Sequence, residues 1–296
     1  MRYNITHSMF SRLPHHSILL ISCPDQKGIT ASVTNFIFHN NGNIVHADQH
    51  IDAASNTFFM RVEWDLKGFK ILKSKIAERF LPLAKKFAMH WEISFTEDKP
   101  RVALFVSKPL HCLQDLLIRY KAGQLNCQIP LIISNHQEAQ SFSQDCGIRY
   151  YPFAITPRNK KEQEKRQLKI LKEAKINLVI LARYHQILTP QFVRAYPHKI
   201  INIHHSFLPA FAGKDPYRQA YEKGVKIIGA TSHFVTVGLD EGPIIEQDTV
   251  RISHRDTLLD LIQEGQDLER RVLSRAVRWA IERKILCYGN KTVIFD

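Results

Sequence analysis

Short apolar runs alternate with helical spacings along the first third of the chain, in an order that predicts one compact mixed unit. Period-two runs on either side of the polar segment 52–56 predict a β-hairpin, because alternate residues of a strand point to opposite faces. The order strand, helix, strand, strand, helix, strand is that of a ferredoxin-like βαββαβ domain. We predict strands at 18–23, 44–51, 57–64 and 89–95, and helices at 29–39 and 69–80.

Beyond residue 100 the pattern changes to apolar runs separated by longer helical patterns. Such alternation predicts a Rossmann-like, mostly parallel, doubly wound sheet whose helices form the crossovers. A last pattern at 256–282 has apolar residues at helical spacing and predicts a helix that packs on the core. We predict strands at 102–106, 129–134, 178–181, 200–204 and 227–234, and helices at 110–121, 136–146, 160–174 and 190–195.

A length of 296 residues favours about two domains of about 150 residues each. The segment 97–100 is polar and ends in Pro100, which is typical of a linker. We therefore expect an α/β protein with a ferredoxin-like domain at 16–96 and a Rossmann-like domain at 101–296.

The chain has 41 Lys and Arg residues against 28 Asp and Glu residues, a formal net charge of +13. Its densest basic segment, 158–175, is also rich in Glu and Gln and has no interleaved aromatic residues, so it predicts a solvated helix face rather than a nucleic-acid surface.

No apolar run reaches the roughly 18 residues of a membrane span, so we expect a cytoplasmic protein with neither nucleic acid nor membrane as a partner. Five scattered cysteines argue against disulfides or a zinc knuckle.

The candidate chemistry lies in Asn-Ile-His-His at 202–205 and in Leu-Asp-Glu-Gly-Pro at 239–243. If 200–204 is a strand, its period places Asn202 and His204 together on one face. The carboxyl ends of strands are where ligands collect in this class of sheet. Taken singly, His204 fits equally well as a hydrogen-bonded core histidine, and the aspartate at 240 as a turn former.

The Asn-Ile-His motif, followed by Ser and Leu-Pro and later by His-Phe-Val-Thr and Leu-Asp-x-Gly-Pro, resembles the folate-dependent formyltransferases and hydrolases. The resemblance runs through nearly the whole chain and implies that Asn202, His204 and Asp240 are catalytic. The second histidine and the segment 240–247 are most similar to the branch of the family that hydrolyses 10-formyltetrahydrofolate. The resemblance therefore implies a folate substrate and no separate cofactor.

Attack on the formyl carbon of such a substrate creates a tetrahedral oxyanion, and one aimed donor stabilises it by about 3 to 4 kcal/mol. We expect the Asn202 amide and a protonated His204 to act as donors, with Asp240 raising the pKa of His204 and orienting or deprotonating a water. Adjacent strand residues point apart, so His204 and His205 do not suit one metal ion, and we expect no metal. We assign His205 a structural role and His233 a supporting role beside His204.

The segment 183–188, after the predicted strand 178–181, resembles the family loop whose backbone binds the pterin ring. The sequence departs from the family pattern at His185, at 237–238 and at Lys214, which leaves the loop contacts open. Without the resemblance, the segment indicates an ordinary strand-to-helix loop. The substrate-binding residues that the resemblance implies are Arg183, Tyr184, Gln186, Leu188, Thr236 and Leu239.

The opening Cys-Pro-Asp-x-Lys-Gly-Ile at 23–29, with Asn-Gly-Asn-Ile at 41–44 and Phe-Phe-Met-Arg at 58–61, resembles ACT domains, which are small amino-acid-sensing modules. The resemblance implies a free amino-acid effector at an interface between paired modules, and hence a homo-oligomer, a tetramer or a hexamer. Helix N-terminal amides can hold a carboxylate, and glycine allows close backbone approach. The alternative left open is that the module only oligomerises the protein. The effector-binding residues that the resemblance implies are Asp25, Gly28 and Ile29.

Water is the expected acceptor of the formyl group. The relatives that formylate glycinamide ribonucleotide need a glycine-lined phosphate cradle where this chain has Val-Ser-Lys-Pro-Leu-His-Cys at 106–112. The relatives that formylate methionyl-tRNA add a C-terminal β-domain, for which the residues after 282 are too few. We therefore expect hydrolysis to formate and tetrahydrofolate, which supplies formate for purine synthesis and balances the one-carbon pool. The alternatives left open are a formyltransferase with another acceptor and a catalytically silent, amino-acid-sensing folate-binding regulator.

Overall fold

The computed structural model describes residues 15–209 and 215–296, which form two compact units. The first unit ends at Asp98 and the second begins at Lys99, within the segment 97–100 that the sequence predicts as a linker. Lys214, one of the departures from the family pattern, lies outside the described residues.

The first unit has the element order βαββαβ that the polarity pattern predicts. Its elements are β1 (His16–Pro24), α1 (Ile29–His39), β2 (Asn43–Asp52), β3 (Thr57–Asp65), α2 (Ile76–Lys86) and β4 (His90–Phe95). The strands pair antiparallel in the order β2-β3-β1-β4. Apolar side chains of the sheet and of both helices, among them Ile21, Val33, Trp64 and Phe80, share one core. This is the ferredoxin-like plan.

The second helix of this unit begins later than the sequence predicts. The predicted helix at 69–80 is wrong in position, because residues 73–75 form a 3-10 turn and α2 begins only at Ile76. The backbone N–H of Lys70 donates to the Asn40 carbonyl, which ties this stretch to the end of α1. A long-range backbone hydrogen bond therefore overrides the local apolar spacing.

The second unit is built around a larger sheet. Its elements are β5 (Arg101–Val106), α3 (His111–Lys121), β6 (Gln128–Ser134), α4 (Gln140–Asp145), β7 (Arg149–Pro152), α5 (Lys160–Glu173), β8 (Leu178–Ala182), α6 (Pro190–Ala195), β9 (Ile200–His204), α7 (Pro216–Glu222), β10 (Ile227–Phe234), β11 (Ile244–Arg251), α8 (Leu258–Ile281), β12 (Ile285–Tyr288) and β13 (Lys291–Ile294). Seven strands form one sheet in the order β11-β10-β9-β8-β5-β6-β7, and β12 pairs with β13 separately. The strands from β9 to β7 run parallel, whereas β10 runs antiparallel to both neighbours.

The sequence pattern does not predict β7, α7, β11 or the β12–β13 hairpin. The strands β7, β12 and β13 have only four residues each, too few to show a period. The helix predicted at 136–146 is shorter, spanning only Gln140–Asp145. Its first residues form a turn instead, in which the His136 N–H donates to the Ser134 hydroxyl.

The large sheet is buried on both faces, which explains its continuous apolar strands. On β5, Leu104 packs with residues of α3 and α8, and the next residue, Phe105, packs with residues of α5 and α6. Chain order reverses between β5 and β8. The carboxyl ends of these two strands therefore form the switch point at which α/β sheets open a crevice for ligands.

The helix α8 covers the sheet next to this switch point. Thr257 and Asp260 form a capping box at its N-terminus, in which each side chain accepts the other residue's backbone N–H. Leu268 and Val272 are buried in the core below it. None of the helices within 15–209 and 215–296 has the length and apolar character that crossing a bilayer requires.

Candidate active site

The three residues that the sequence identifies as catalytic meet at the carboxyl end of β9. Asn202 and His204 lie two positions apart on this strand, and Asp240 lies in the turn between β10 and β11. The Oδ2 atom of Asp240 is 3.3 Å from Nδ1 of His204. The pairing of β9 with β10 thus brings together residues that are distant in sequence.

The turn that carries Asp240 has an unusual backbone. Asp240 has φ +56°, a left-handed conformation that is uncommon for a residue other than glycine. A Cβ at Gly242 would lie 1.7 Å from the Phe234 carbonyl oxygen, so only glycine fits two residues later. The Asn290 side chain, from the β12–β13 hairpin, donates to the Glu241 carbonyl at 2.9 Å. Close packing and this bond together hold the carboxylate in place.

His233 connects Asn202 and Asp240. Its Nε2 lies 3.2 Å from Nδ2 of Asn202 and 3.5 Å from Oδ1 of Asp240. Its Nδ1 lies 3.0 Å from the Phe234 carbonyl oxygen, which can only accept, so Nδ1 carries a hydrogen. The supporting role predicted for His233 is therefore indirect, because His233 contacts Asn202 and Asp240 rather than the His204 ring itself.

The protonation state of His204 differs from the expectation. Its side chain is 8% exposed, and this burial lowers its pKa below the ordinary 6.5 although Asp240 raises it. Asp240 raises the pKa of His204 as predicted, but the loss of hydration outweighs this attraction, so the predicted protonated ring is wrong. At neutral pH the ring is therefore neutral, with Nδ1 beside the Asp240 carboxylate. Its Nε2 is buried without a hydrogen-bond partner among the described residues.

Asp240 is ionised at every physiological pH. Its contact with His233 lowers its pKa most, burial opposes this, and the nearby His204 ring lowers the pKa further, so that the pKa lies below the ordinary 3.8. A fixed carboxylate at Nδ1 stabilises any positive charge that His204 acquires.

A pocket opens beside these residues, between the loop after β8 and the turn after β10. Its rim is apolar, since the side chains of Ile187, Val237 and Leu239 are 60%, 54% and 63% exposed. An apolar rim above convergent polar groups suits a flat ring that carries a reactive amide. The pocket is lined by all six residues that the resemblance implies for substrate binding, Arg183, Tyr184, Gln186, Leu188, Thr236 and Leu239.

Two of these six residues direct their side chains into the interior. The Tyr184 ring stacks on Phe105 at 5.2 Å, its hydroxyl accepts from Gln167 at 3.4 Å, and burial raises its pKa to about 12. The Arg183 backbone is left-handed, with φ +62°, and its Nε lies 3.4 Å from Oε2 of the buried Glu269. Both residues therefore shape the loop rather than offer free side-chain groups to a ligand.

The residues implied for an effector lie in the turn between β1 and α1. Gly28 is exposed and left-handed, with φ +93°, and no described side chain caps the helix that follows. Asp25 is half-buried, and its N–H donates to the Asn56 carbonyl at 2.9 Å. Ile29 is 1% exposed and packs in the core, so its side chain cannot contact an effector. The turn thus presents backbone amides and one carboxylate at the surface.

One group of three possible metal ligands lies close together in the described part of the chain. His111, Cys112 and Glu269 are buried, and their ligand atoms lie within 4.8 Å of one another. Glu269 already bonds His111 and Tyr217 and pairs with Arg183. Burial raises the pKa of the Cys112 thiol well above its usual value, whereas metal binding needs the thiolate. The group therefore suits an internal hydrogen-bonded cluster better than an ion.

Comparison with known proteins identifies the family of this chain. The sequence model of the formyl transferase family matches residues 100–277. The formyltetrahydrofolate deformylase of Synechocystis is 53% identical over 277 residues, which are 94% of this chain and 97% of its own. That of Bacillus subtilis is 46% identical over 279 residues, 94% of this chain and 93% of its own. The crystal structure of a formyltetrahydrofolate deformylase from Pseudomonas syringae pathovar tomato has a TM-score of 0.94 at 44% identity, covering 97% of this chain and 96% of that one. The chain belongs to the formyl transferase family and, within it, to the formyltetrahydrofolate deformylases.

Proposed function

We propose that the chain hydrolyses 10-formyltetrahydrofolate to formate and tetrahydrofolate in the pocket beside β9. The observation that carries this proposal is the His204 ring. Asp240 holds it through Nδ1, and its buried Nε2 has no partner in the described residues at the wall of the pocket, on the same strand as Asn202. A basic nitrogen, an amide donor and a carboxylate are the groups that hydrolysis of an amide-like formyl group needs.

The neutral His204 ring acts first as a base. The oxygen of a water molecule bonds to the formyl carbon, one of the water protons passes to Nε2, and the carbonyl electron pair moves to the oxygen. The second N–H of the Asn202 amide, which His233 does not engage, donates to this oxyanion. Asp240 stabilises the imidazolium through Nδ1.

The same ring then acts as an acid. The oxyanion pair re-forms the carbonyl, the bond between the carbon and N10 breaks, and its electron pair remains on N10. The proton on Nε2 of His204 passes to this nitrogen, which releases tetrahydrofolate and returns the ring to its neutral form. The formic acid product ionises to formate at neutral pH.

We propose that the pterin ring occupies the pocket between the two loops. Its apolar faces pack against the exposed rim side chains of Ile187 and Leu239, and the polar edges bond the loop backbone. In this arrangement Gln186 and Thr236 contact the ligand directly. Arg183, Tyr184 and Leu188 position the backbone that the ring meets.

The pH dependence of kcat/KM tests the assigned protonation state. The pKa of His204 lies below 6.5, and the reacting form is neutral, so we expect a plateau from pH 7 upward. As pH falls through the His204 pKa, kcat/KM should fall about tenfold for each pH unit. Asp240 remains ionised over this range, since its pKa lies below 3.8. A kcat/KM that increases as pH drops from 7 would show instead that the imidazolium is the reacting form.

An assay of the purified protein with 10-formyltetrahydrofolate alone separates the three candidate activities. Hydrolysis predicts formate and tetrahydrofolate without any added acceptor, and equal rates with and without a chelator. A formyltransferase would leave the folate intact until its acceptor was added, and would then yield tetrahydrofolate and the formylated acceptor rather than formate. A silent regulator would bind the folate and leave it intact, which would contradict the proposal.

We propose that residues 16–96 form a regulatory and assembly domain and that residues 101–296 carry the catalytic site. All residues proposed for catalysis and substrate binding lie in the second range. In the first range β2 is an edge strand, and its side chains Val45 and Ile51 are 47% and 46% exposed. An exposed apolar edge supports a homo-oligomer, which we propose to be a tetramer or a hexamer.

A free amino acid is the proposed effector of this domain. Its carboxylate would bond the amides that follow Gly28, and its ammonium group would pair with Asp25. We expect isothermal titration to detect such a ligand, and Asp25→Asn to weaken its binding at least about tenfold without changing activity in its absence. Glu92→Gln, the same charge change at an exposed site on β4, is the matched control. If no amino acid bound or altered activity, the domain would serve assembly alone.

We further propose that the enzyme is cytoplasmic and that the formate it releases supplies purine synthesis and balances the one-carbon pool. The resemblance to the folate-hydrolysing branch of the family supports this role.

A further inference from the structure

A buried ionic cluster occupies the switch point between β5 and β8. At its centre is Glu269 of α8, which is 1% exposed. Its Oε2 lies 2.9 Å from Nε2 of His111 and 3.4 Å from Nε of Arg183. Its Oε1 accepts from the Tyr217 hydroxyl at 2.6 Å. One carboxylate thus joins the start of α3, the loop after β8, and α7.

The fold makes room for this cluster. A Cβ at Gly265, one helical turn before Glu269, would lie 2.2 Å from Cζ of Tyr217, so the glycine allows the tyrosine ring to reach the carboxylate. Glu269 also interrupts the apolar stripe of α8, since Leu268 and Val272 beside it are buried in the core. A charge within an apolar stripe is the sequence signal that points to this residue.

The cluster forms the wall behind the catalytic histidine. The Tyr217 ring lies 6.0 Å from the His205 ring, and the His205 ring lies 5.3 Å from that of His204, measured between ring centres. On the other side, the Arg183 carbonyl accepts from the Ser107 N–H at 3.0 Å, which joins the pocket loop to the end of β5. Displacement of Glu269 would therefore shift both the pocket loop and the His204 ring.

We propose that Glu269 is a positioning residue for the hydrolysis. As a buried anion it holds Arg183, and hence the pocket loop, on one side. On the other side it holds Tyr217, which forms part of the wall behind His204. The inference rests on the proposed function, because it assigns Glu269 a part in that reaction. Glu269 does not line the pocket and is not a catalytic residue.

The charge of Glu269 is maintained despite its burial. Burial opposes ionisation, but the hydrogen bond from His111 and the charge of Arg183 hold the pKa of Glu269 below its usual value. The anion and the guanidinium act on His204 with opposite signs: Glu269 raises the pKa of His204, and Arg183 lowers it. The titratable and charged groups that face His204 are Asp240 from the turn, His233 from β10, Arg183 from the loop after β8, Glu269 from α8, and His205 next to it.

His205 does not add a further charge to this wall. Burial and then the Arg183 charge lower its pKa to about 3, so the ring is neutral at neutral pH. The structural role predicted for His205 fits its position against the Tyr217 ring.

Glu269→Gln tests the proposal, because glutamine keeps the shape and removes the charge. We expect kcat/KM at neutral pH to fall at least about tenfold, mainly through a higher KM as the pocket loop loosens. We also expect the acid limb of the pH profile, the fall of kcat/KM at low pH, to move to lower pH by at least about 0.3 units. The reason is that loss of the anion lowers the pKa of His204. Glu269→Asp keeps the negative charge, so its acid limb should lie closer to that of the wild type than the limb of Glu269→Gln does.

Two further variants separate electrostatics from packing. Tyr217→Phe removes one hydrogen bond to Glu269 without changing charge, and should leave the acid limb in place. Arg183→Gln removes the opposing charge, and should move the limb to higher pH. Thermal unfolding and circular dichroism of each variant would show whether it is folded.

An acid limb that stayed in place in folded Glu269→Gln, together with an unchanged KM, would overturn the positioning role and leave Glu269 a purely structural residue. This outcome is distinct from failure of the proposed function, in which the wild-type protein itself would release no formate.

Discussion

Asp240→Asn should lower kcat for formate release at least about a hundredfold, equivalent to about 2.7 kcal/mol on the barrier. The amide oxygen of asparagine can still accept from Nδ1 of His204, so the ring keeps its place, but the negative charge that stabilises the imidazolium is lost. Steady-state kinetics would measure kcat, and titration with tetrahydrofolate would measure binding. We expect binding and thermal stability to change little, because the carboxylate lies beside the ring rather than in the core.

Glu241→Gln is the matched control for this variant. It removes one negative charge from the next residue of the same turn, which is exposed, and should retain nearly full activity. A residual kcat above about a tenth of the wild type in Asp240→Asn, a barrier change under about 1.4 kcal/mol, would contradict the assigned role.

His204→Ala and Asn202→Ala should each lower kcat at least about a hundredfold. His204 transfers the proton, and Asn202 donates to the oxyanion that forms in the same step. Because both act on one transition state, the double variant should be much less than multiplicatively worse. The measurement is a double-mutant cycle on kcat at pH 7.5, where the His204 ring is neutral in the wild type.

His254→Ala, at an exposed position outside the pocket, is the control for loss of an imidazole. Fully multiplicative losses in the double variant would show that the two residues act independently of each other. Retention of wild-type kcat by either single variant would remove that residue from the catalytic set.

Most strand positions could be predicted from the sequence because buried strands are short apolar runs with clear boundaries. β9 and β10 are found where the pattern places them, at Ile200–His204 and Ile227–Phe234. The largest shift of a predicted helix has a long-range cause. The start of α2 is shifted by a hydrogen bond between Lys70 and Asn40, which no local pattern contains.

The candidate site could be predicted as a set of residue types but not as a working arrangement. Strand period places Asn202 and His204 on one face, and the resemblance to the family motif adds Asp240 in a later turn. The direction of the His204 pKa depends on how much water the fold removes from the ring, and burial outweighs the carboxylate. The sequence expectation of a protonated ring failed for this reason.

What the sequence by itself determined is thus the βαββαβ order of the first unit, most apolar strands of the second, and the placement of Asn202 and His204 on one strand, because each is a property of neighbouring residues. Only the tertiary structure decided which groups face one another. His233 lies opposite Asn202 because β10 runs antiparallel to β9. Glu269 reaches His111 and Arg183 because α8 packs against α3 and β9, which brings it beside the start of α3 and the loop after β8. Burial and the electrostatic field at His204 arise from these long-range contacts, which depend on the whole fold rather than on any segment of the chain.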